Sequence, residues 1–408
     1  MKNILRMFQG YGVELEYMIV DKDTLIVCPI ADELIKKVSG EYVSDVEFGD
    51  IAWSNELVLH VIELKTNGPA KTLSNLDLKF FENVININNI LDEFNCMLLP
   101  TGAHPFMDPF KESKLWNHEY NQVYEAYNRI FDCRGHGWSN LQSTHINLPF
   151  GNDEEFEKLH AAIRILLPII PALSASTPII EYNPTGYIDT RLEVYRNNQK
   201  KIPSIAGKVI PERAFTKKEY EELILRNIYE DIKPYDDDNI LQNEWLNSRG
   251  AIARFDRNTI EIRIIDIQEC PSADLAITLL ISETLKKLIS GSWSLTDEQK
   301  IWDEDKLSNI FLKVIKEGEH VIIEDENYLK LFGCNNKCSV NELWKHIFNN
   351  ITITDSNLLK SIKILLDKGS LSSRILSALG NDLSKENILK VYKNLAACLG
   401  TNKMFVNE

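Results

Sequence analysis

Two glutamates spaced two apart, Glu14 and Glu16, stand in the run Gly12-Val13-Glu14-Leu15-Glu16-Tyr17, an alternating pattern that extends to Val20. In a strand, residues two apart project from one face, so the two carboxylates would stand side by side. Like charges on a half-buried face repel unless a cation joins them or one takes up a proton. A hard divalent cation such as Mg²⁺, which prefers oxygen ligands, is the simplest partner. A strand with its polar face in water is the plain alternative. Two more carboxylates, Glu56 and Glu63, flank or lie on the strand-like residues 57–66, which end at Asn67-Gly68-Pro69. Their spacing of seven sets them on opposite faces of a regular strand. Both reach one site only if Glu56 lies on the entering turn or a bulge intervenes.

Three further stretches carry chemistry. In Ser143-Thr144-His145-Ile146-Asn147-Leu148, His145 and Asn147 share a strand face, and the imidazole is either a ligand or a satisfied structural group. In residues 257–266, Glu261 and Arg263 share one face while Ile260, Ile262 and Ile264 share the other. A carboxylate beside an arginine on an apolar strand needs a polar counterpart, which a salt bridge, a metal or a phosphate would supply. The polar residues 182–203 hold Arg191, Arg196, Lys200 and Lys201. Arginine's planar fork suits phosphate or carboxylate oxygens, although charge runs also serve as solvated loops.

The elements that must position these groups follow from periodicity. Residues 25–30 read as the return arm of a hairpin after the first strand, and residues 31–39 as a short helix. Leu76, Phe80, Val84, Ile87, Leu91 and Phe94 recur at helical spacing over residues 72–94. A short buried strand at 96–99 runs into the turn 100–105, where His104 is either a turn residue or part of a pocket lining. Asn152 and Glu155 make a capping-box-like start to a helix that Pro168 and Pro171 should kink or end. Residues 273–289 form a core-covering helix. The chain after Trp293 is helical and carries no chemical motif. Charged groups on separated strands with helices between them describe an α+β chain: an antiparallel sheet with a carboxylate-rich face, covered by helices on the other.

The whole-chain balance narrows the class. With 408 residues, 44% hydrophobic, the chain can bury a large core. Its net charge of -15 and pI near 5.1 argue against a nucleic-acid or anionic-membrane surface. The opening residues 1–7 hold no sustained apolar segment and no run reaches a membrane span of about twenty apolar residues, so a cytoplasmic protein is expected. Seven scattered cysteines fit reduced thiols, and the close pair Cys334 and Cys338 lacks a second pair to complete a zinc site. The partners expected are small molecules, acted on by a monomer or a homo-oligomer. Neither a P-loop nor a glycine-rich kinase loop occurs, so nucleotide phosphates would be held by metals and basic side chains.

In series, these stretches resemble glutamate-cysteine ligase family 2, ATP-dependent carboxylate-amine ligases with a glutamine synthetase type of catalytic fold. The resemblance is carried by Gly12-Val13-Glu14-Leu15-Glu16, Glu56 with Glu63 ahead of Thr66 and Pro69, and Leu99-Pro100-Thr101-Gly102-Ala103-His104-Pro105. Ser143 to Leu148, Leu173-Ser174-Ala175-Ser176-Thr177-Pro178, Tyr195-Arg196 and Thr259-Ile260-Glu261-Ile262-Arg263 continue it in family order. It implies a curved, mainly antiparallel sheet forming a funnel-like active site within residues 1–295. Residues 296–408 would be a helical region packed on the same domain. It implies that Glu14, Glu16, Glu56, Glu63, His145 and Glu261 hold Mg²⁺ or Mn²⁺ around ATP. Arg263 and Glu63 would act in catalysis, and Arg191, Arg196 and Arg263 would bind nucleotide or substrate oxygens. The implied reaction joins glutamate to cysteine with release of ADP, as in glutathione biosynthesis. The chain departs from the family's His-x-His pattern at Asn147, which offers only an amide. A ligase of the same fold for another acid or amine, a non-catalytic nucleotide or metabolite binder, and a metal-dependent hydrolase are the competing readings.

Overall fold

The computed structural model describes residues 4–406. Met1-Lys2-Asn3, the start of the segment read as free of a leader, lies outside the described residues. Eight strands build one sheet: β1 (Gly12–Asp21), β2 (Asp45–Phe48), β3 (Ile51–Asn55), β4 (Val61–Thr66), β5 (Cys96–Leu99), β6 (Ser143–Pro149), β7 (Ala251–Arg254) and β8 (Thr259–Asp266). Their order is β2-β3-β4-β1-β6-β8-β7, with β5 paired to β1 off this path, so the sheet is open. All of its pairings are antiparallel.

β1 is shared unequally. One edge pairs with β4 from Glu14 to Met18; the other pairs with β6 over its first half and with β5 over its second. Its alternation sorts the two faces. Val13, Leu15, Tyr17 and Ile19 are fully buried in the main core, against α2 (Leu76–Leu91) and α4 (Asp153–Leu166). Burial of each such side chain contributes roughly 1.5–3 kcal/mol. Glu14 and Glu16 point to the opposite face. Met18 and Val20 share that face further along, where a second cluster covers them.

The helices follow the apolar spacing with local corrections. α1 (Ala31–Ser39) lies where expected, and α2 is continued by a 3-10 turn to Phe94. α3 (Asn121–Phe131) carries part of the cavity wall described below. Asn152 caps α4 by accepting from the Glu155 N–H at 3.0 Å. Glu155 does not close the box; its carboxylate accepts from Gly151 N at 2.6 Å. α4 stops at Leu166 and the two prolines start the short turns that follow. α5 (Thr190–Tyr195) and α6 (Pro271–Ile289) complete the part of the chain nearest the sheet.

Residues after 296 add α7 (Glu304–Glu317), α8 (Val340–Asn349), α9 (Ser356–Lys368), α10 (Leu371–Leu379) and α11 (Lys385–Leu399). Leu307, Phe311 and Trp344 join the main core, and Trp344 Nε1 donates to Ile169 O at 2.9 Å. Leu371 and Ile375 of α10, with Ile388 and Tyr392 of α11, cover Met18, Val20 and Leu99. Arg374 and Glu269 form a buried ion pair that ties α10 to the loop after β8.

Two expectations are corrected here. Residues 25–30 do not return as a strand: Leu25 takes φ +59° and only a single bridge joins Val20 to Val27. Residues 57–60 precede the ladder, which starts at Val61. The β2–β3 hairpin carries little signal in the sequence because β2, although it alternates charged and apolar residues, is only four residues long and three of them are exposed.

Three histidines serve the fold. His104 Nδ1 accepts from the N–H groups of Phe106 and Met107, both at 3.0 Å, so Nε2 carries the proton and donates to Leu25 O at 2.6 Å. The turn 100–105 therefore uses His104 as a structural pin, held neutral. His60 meets Ser139 O at 2.7 Å and His160 stacks on Phe156. Burial pushes the His60 and His104 imidazoles down to about 4 and that of His160 to about 3. Among the described residues no helix is long and apolar enough to cross a membrane, and the seven cysteines are free. Cys334 and Cys338 face each other at 3.8 Å, apart from any group of metal-ligating side chains found among the described residues.

Candidate active site

The polar face of β1 lies between polar faces on both neighbours. Opposite Glu14 stand Lys65 on β4 and His145 on β6, and opposite Glu16 stands Glu63. Directly opposed side chains in an antiparallel pair project to the same side, about 4.5–5.5 Å apart. Gly12 faces Asn147, where a Cβ would come within 2.8 Å of the Asn147 Cβ, so only glycine permits this approach. Asn147 uses its closeness to donate from Nδ2 to Glu14 Oε1 at 3.0 Å. The amide thus orients a carboxylate rather than extending the donor set.

Glu56 joins from outside the strands. It is the first residue after β3, in the connection to β4, and so escapes the alternation that would have turned it away. Ligand atoms of Glu16, Glu56 and Glu63 all lie within 4.8 Å of one another, as do those of Glu14, Glu63 and His145. Glu63 belongs to both groups.

β8 contributes through a bulge. Glu261 pairs with Asn147, but after Ile262 the register shifts, leaving Arg263 and Ile264 opposite His145 and bringing Asp266 opposite Ser143. The extra residue inverts the parity, so Glu261 and Asp266 share a face despite a separation of five. Glu261 Oε1 lies 3.1 Å from Arg263 Nε and 3.9 Å from His145 Nδ1, and Arg254 stands 3.8 Å from its other oxygen. Asp266 is fully buried and receives Ser176 N at 2.8 Å, Thr177 Oγ1 at 3.0 Å and Arg191 Nε at 2.5 Å. A Cβ at Gly102 would meet the Asp266 Cγ at 2.7 Å, which explains the glycine in the 100–105 turn.

These groups floor one cavity of about 1230 Å³. Arg191, held by Asp266, reaches it, as do Tyr124 and Tyr127 of α3, Trp138, Tyr195 and Trp245. Tyr127 packs 5.3 Å from Trp138 and 5.9 Å from Trp245, centroid to centroid, giving the cavity an aromatic wall. Arg196 does not line it. Its guanidinium turns back to Glu193 at 2.7 and 2.8 Å, a local pair on its own helix turn. The expected nucleotide role of Arg196 therefore has no support in its placement, whereas Arg191, Arg263 and all six expected metal-binding side chains face the cavity. Sequence reasoning missed Lys65, Ser54, Arg254 and Asp266.

Charge on the floor is unevenly balanced. Burial opposes ionisation of Glu14, but the hydrogen bond from His145 at 2.8 Å and the charges of His145, Lys65 and Arg263 hold it down at about 2. His145 loses some basicity to burial, yet Glu14, Glu16 and Glu261 lift it to about 9. Burial, followed by the Glu16 and Glu63 charges, pushes Glu56 well above the usual carboxylate range. Burial and Glu14 push Glu63 up to about 6 against the pull of Lys65 and Ser54. Carboxylates that hold protons for want of a counter-charge form an oxygen-rich donor set that suits a hard divalent cation.

A cation entering this face must displace those protons. Mn²⁺ affinity is accordingly expected to strengthen as pH rises from 6 toward 9, the window set by Glu63 and His145. Calorimetry in two buffers of different ionisation enthalpy should show net proton release. Affinity that stays level across this window would remove His145 from the ligand set.

An open antiparallel sheet with an acidic face, backed by helices, defines the class: an α+β fold of the glutamine synthetase type. The chain belongs to glutamate-cysteine ligase family 2, whose model matches residues 11–323. An uncharacterised protein of Archaeoglobus fulgidus is 35% identical over 399 residues, covering 97% of this chain and all of the relative. A putative glutamate–cysteine ligase 2 of Corynebacterium glutamicum is 25% identical over 190 residues, and the match spans 45% of this chain and 46% of that protein. Among solved structures, the glutamate–cysteine ligase of Francisella tularensis in complex with AMP superposes with a TM-score of 0.57 at 12% identity, over 96% of this chain and 93% of that one.

Proposed function

We propose that the protein is an ATP-dependent carboxylate-amine ligase, with glutamate as the acid and cysteine as the first acceptor to test. The observation that carries this reading is the convergence of five carboxylates, one imidazole and Arg263 on the floor of a single large cavity. An adenine nucleotide is favoured by the AMP held by the Francisella ligase of the same fold.

A carboxylate is a poor acyl donor, so its oxygen first attacks the terminal phosphorus of ATP and ADP leaves. The amine then attacks the acyl phosphate and phosphate departs, forming the amide. Glu16, Glu56 and Glu63, with Glu14, His145 and Glu261, would hold Mg²⁺ or Mn²⁺, which supplies positive charge against the phosphates. Arg263 is held by Glu261 and by donation from its NH1 to Asn247 O at 3.3 Å, leaving its other N–H groups toward the cavity. It would steady the charge that develops on the transferred phosphoryl oxygens. Arg191, fixed by Asp266, would orient the acid or a phosphate through its remaining donors.

Sustained ADP release with Mg-ATP, beyond a single turnover, is expected only when an acid and an amine are both present. A panel of amino acids and amines, with ADP formation coupled to a spectrophotometric readout, checks this. ADP formed continuously with neither acid nor amine would favour a hydrolase, and binding of Mg-ATP without turnover on any pair would favour a sensor. Purified protein that binds no Mg-ATP by calorimetry would sink the reading.

A further inference from the structure

Lys65 stands within the acidic floor itself. It is opposite Glu14 in the β1–β4 register and two residues beyond Glu63, so all three side chains rise from one face. Its ammonium lies 3.2 Å from Glu63 Oε1 and donates to Ser54 Oγ at 2.8 Å. Ser54 in turn donates to the same Glu63 oxygen at 2.5 Å. An ammonium has three N–H donors, so beside these two oxygens it keeps one for a ligand. The side chain is 35% exposed and lines the cavity.

The two groups of metal-ligating side chains therefore differ. Glu63, which the ammonium touches, is common to both, but the register places Lys65 directly opposite Glu14, while Glu16 lies across from Glu63 itself and Glu56 comes from the connection after β3. A covalently anchored cation therefore stands on the Glu14 side of Glu63. A divalent ion seated a few ångströms from an ammonium is repelled, and at protein-like dielectric this costs on the order of a tenfold or greater loss of affinity.

The geometry points to Lys65 as a built-in cation that carries, at the Glu14–Glu63 edge, charge a divalent ion would otherwise supply. The Glu16–Glu56–Glu63 group then takes the first ion, and the Lys65 ammonium is left to meet a terminal phosphate oxygen of the nucleotide. This assignment rests on the nucleotide-dependent reading above.

Mn²⁺ titrations of the full chain, by calorimetry and by electron paramagnetic resonance, test it with and without a non-hydrolysable ATP analogue. Lys65→Met is expected to gain one Mn²⁺ equivalent or to tighten its weakest Mn²⁺ step about tenfold. At limiting Mn²⁺ it should also lose about tenfold in affinity for the analogue, while Lys65→Arg keeps the wild-type stoichiometry. Should Lys65→Met not fold by circular dichroism, Lys65→Gln, which can still reach Ser54, carries the same expectation. A folded, uncharged variant whose Mn²⁺ isotherm matches wild type overturns the assignment alone, provided wild type binds the analogue. Wild type that binds no analogue overturns both this assignment and the ligase reading.

Discussion

Replacing Arg263 by lysine is expected to lower the rate of ADP release about 10²- to 10³-fold while moving the KM values for acid and ATP less than about fivefold. The charge is kept, so the ground-state field over the cavity changes little. What is lost is the planar fork: Nε is committed to Glu261 and NH1 to Asn247 O, and the remaining donors owe their aim to that clamp. A lysine ammonium cannot make both anchoring contacts and still present a donor in the same place. Fold integrity is separable, because Arg254 stays near Glu261 to balance it. Steady-state kinetics on a productive acid and amine pair decides the matter. A kcat within threefold of wild type would remove Arg263 from the chemistry.

The second large effect concerns stability. His60, His104 and His160 are buried neutral, with imidazoles pushed down to about 4, 4 and 3. In the unfolded chain each would titrate near 6.5. The unfolded state therefore binds more protons between pH 6.5 and 4, and stability falls as pH drops through that window. The three together contribute on the order of several kcal/mol, fully present above pH 6.5. His145 runs the other way. Its imidazole is raised to about 9, so its contribution is complete below 6.5 and is lost as pH climbs through 9. The raised carboxyls of Glu56 and Glu63 also oppose the three histidines, since their contribution is present at low pH and is lost as pH rises, through about 6 for Glu63. The histidine share is therefore read by comparison, in urea midpoints of metal-free protein. His160→Phe, which cannot take up a proton, should lose part of the wild-type change between pH 7 and 4.5 that favours the higher pH. A variant whose pH dependence matches wild type would contradict a buried neutral His160.

The acid pair was legible in the chain because alternation is a local property. Glu14 and Glu16, His145 and Asn147, and Glu261 and Arg263 each occupy one strand with an apolar opposite face, and that suffices to place them. Glu56 was legible only as a condition, met by its position just past β3. The other groups in and beneath the floor depend on pairing between distant segments. Lys65 carried a local signal, the same two-residue spacing from Glu63, but a lysine near the end of a strand reads as a solvated terminus. Asp266 was hidden by the bulge, since five residues from Glu261 means the opposite face in any regular strand. Arg196 shows the converse error: charge and polarity in the sequence drew it toward a phosphate, while a glutamate three residues earlier on the same helix turn claims it.

β1 has a consequence for how the protein can be cut. The ten-residue strand that aligns Glu14 and Glu16 at its start ends as the seat of α10 and α11, through Met18 and Val20. A chain trimmed to residues 11–323, the span of the family match, would bare that apolar end to water together with Leu99. The last helices thus act as a splint on the strand that sets the acid pair, bracing it from its far end.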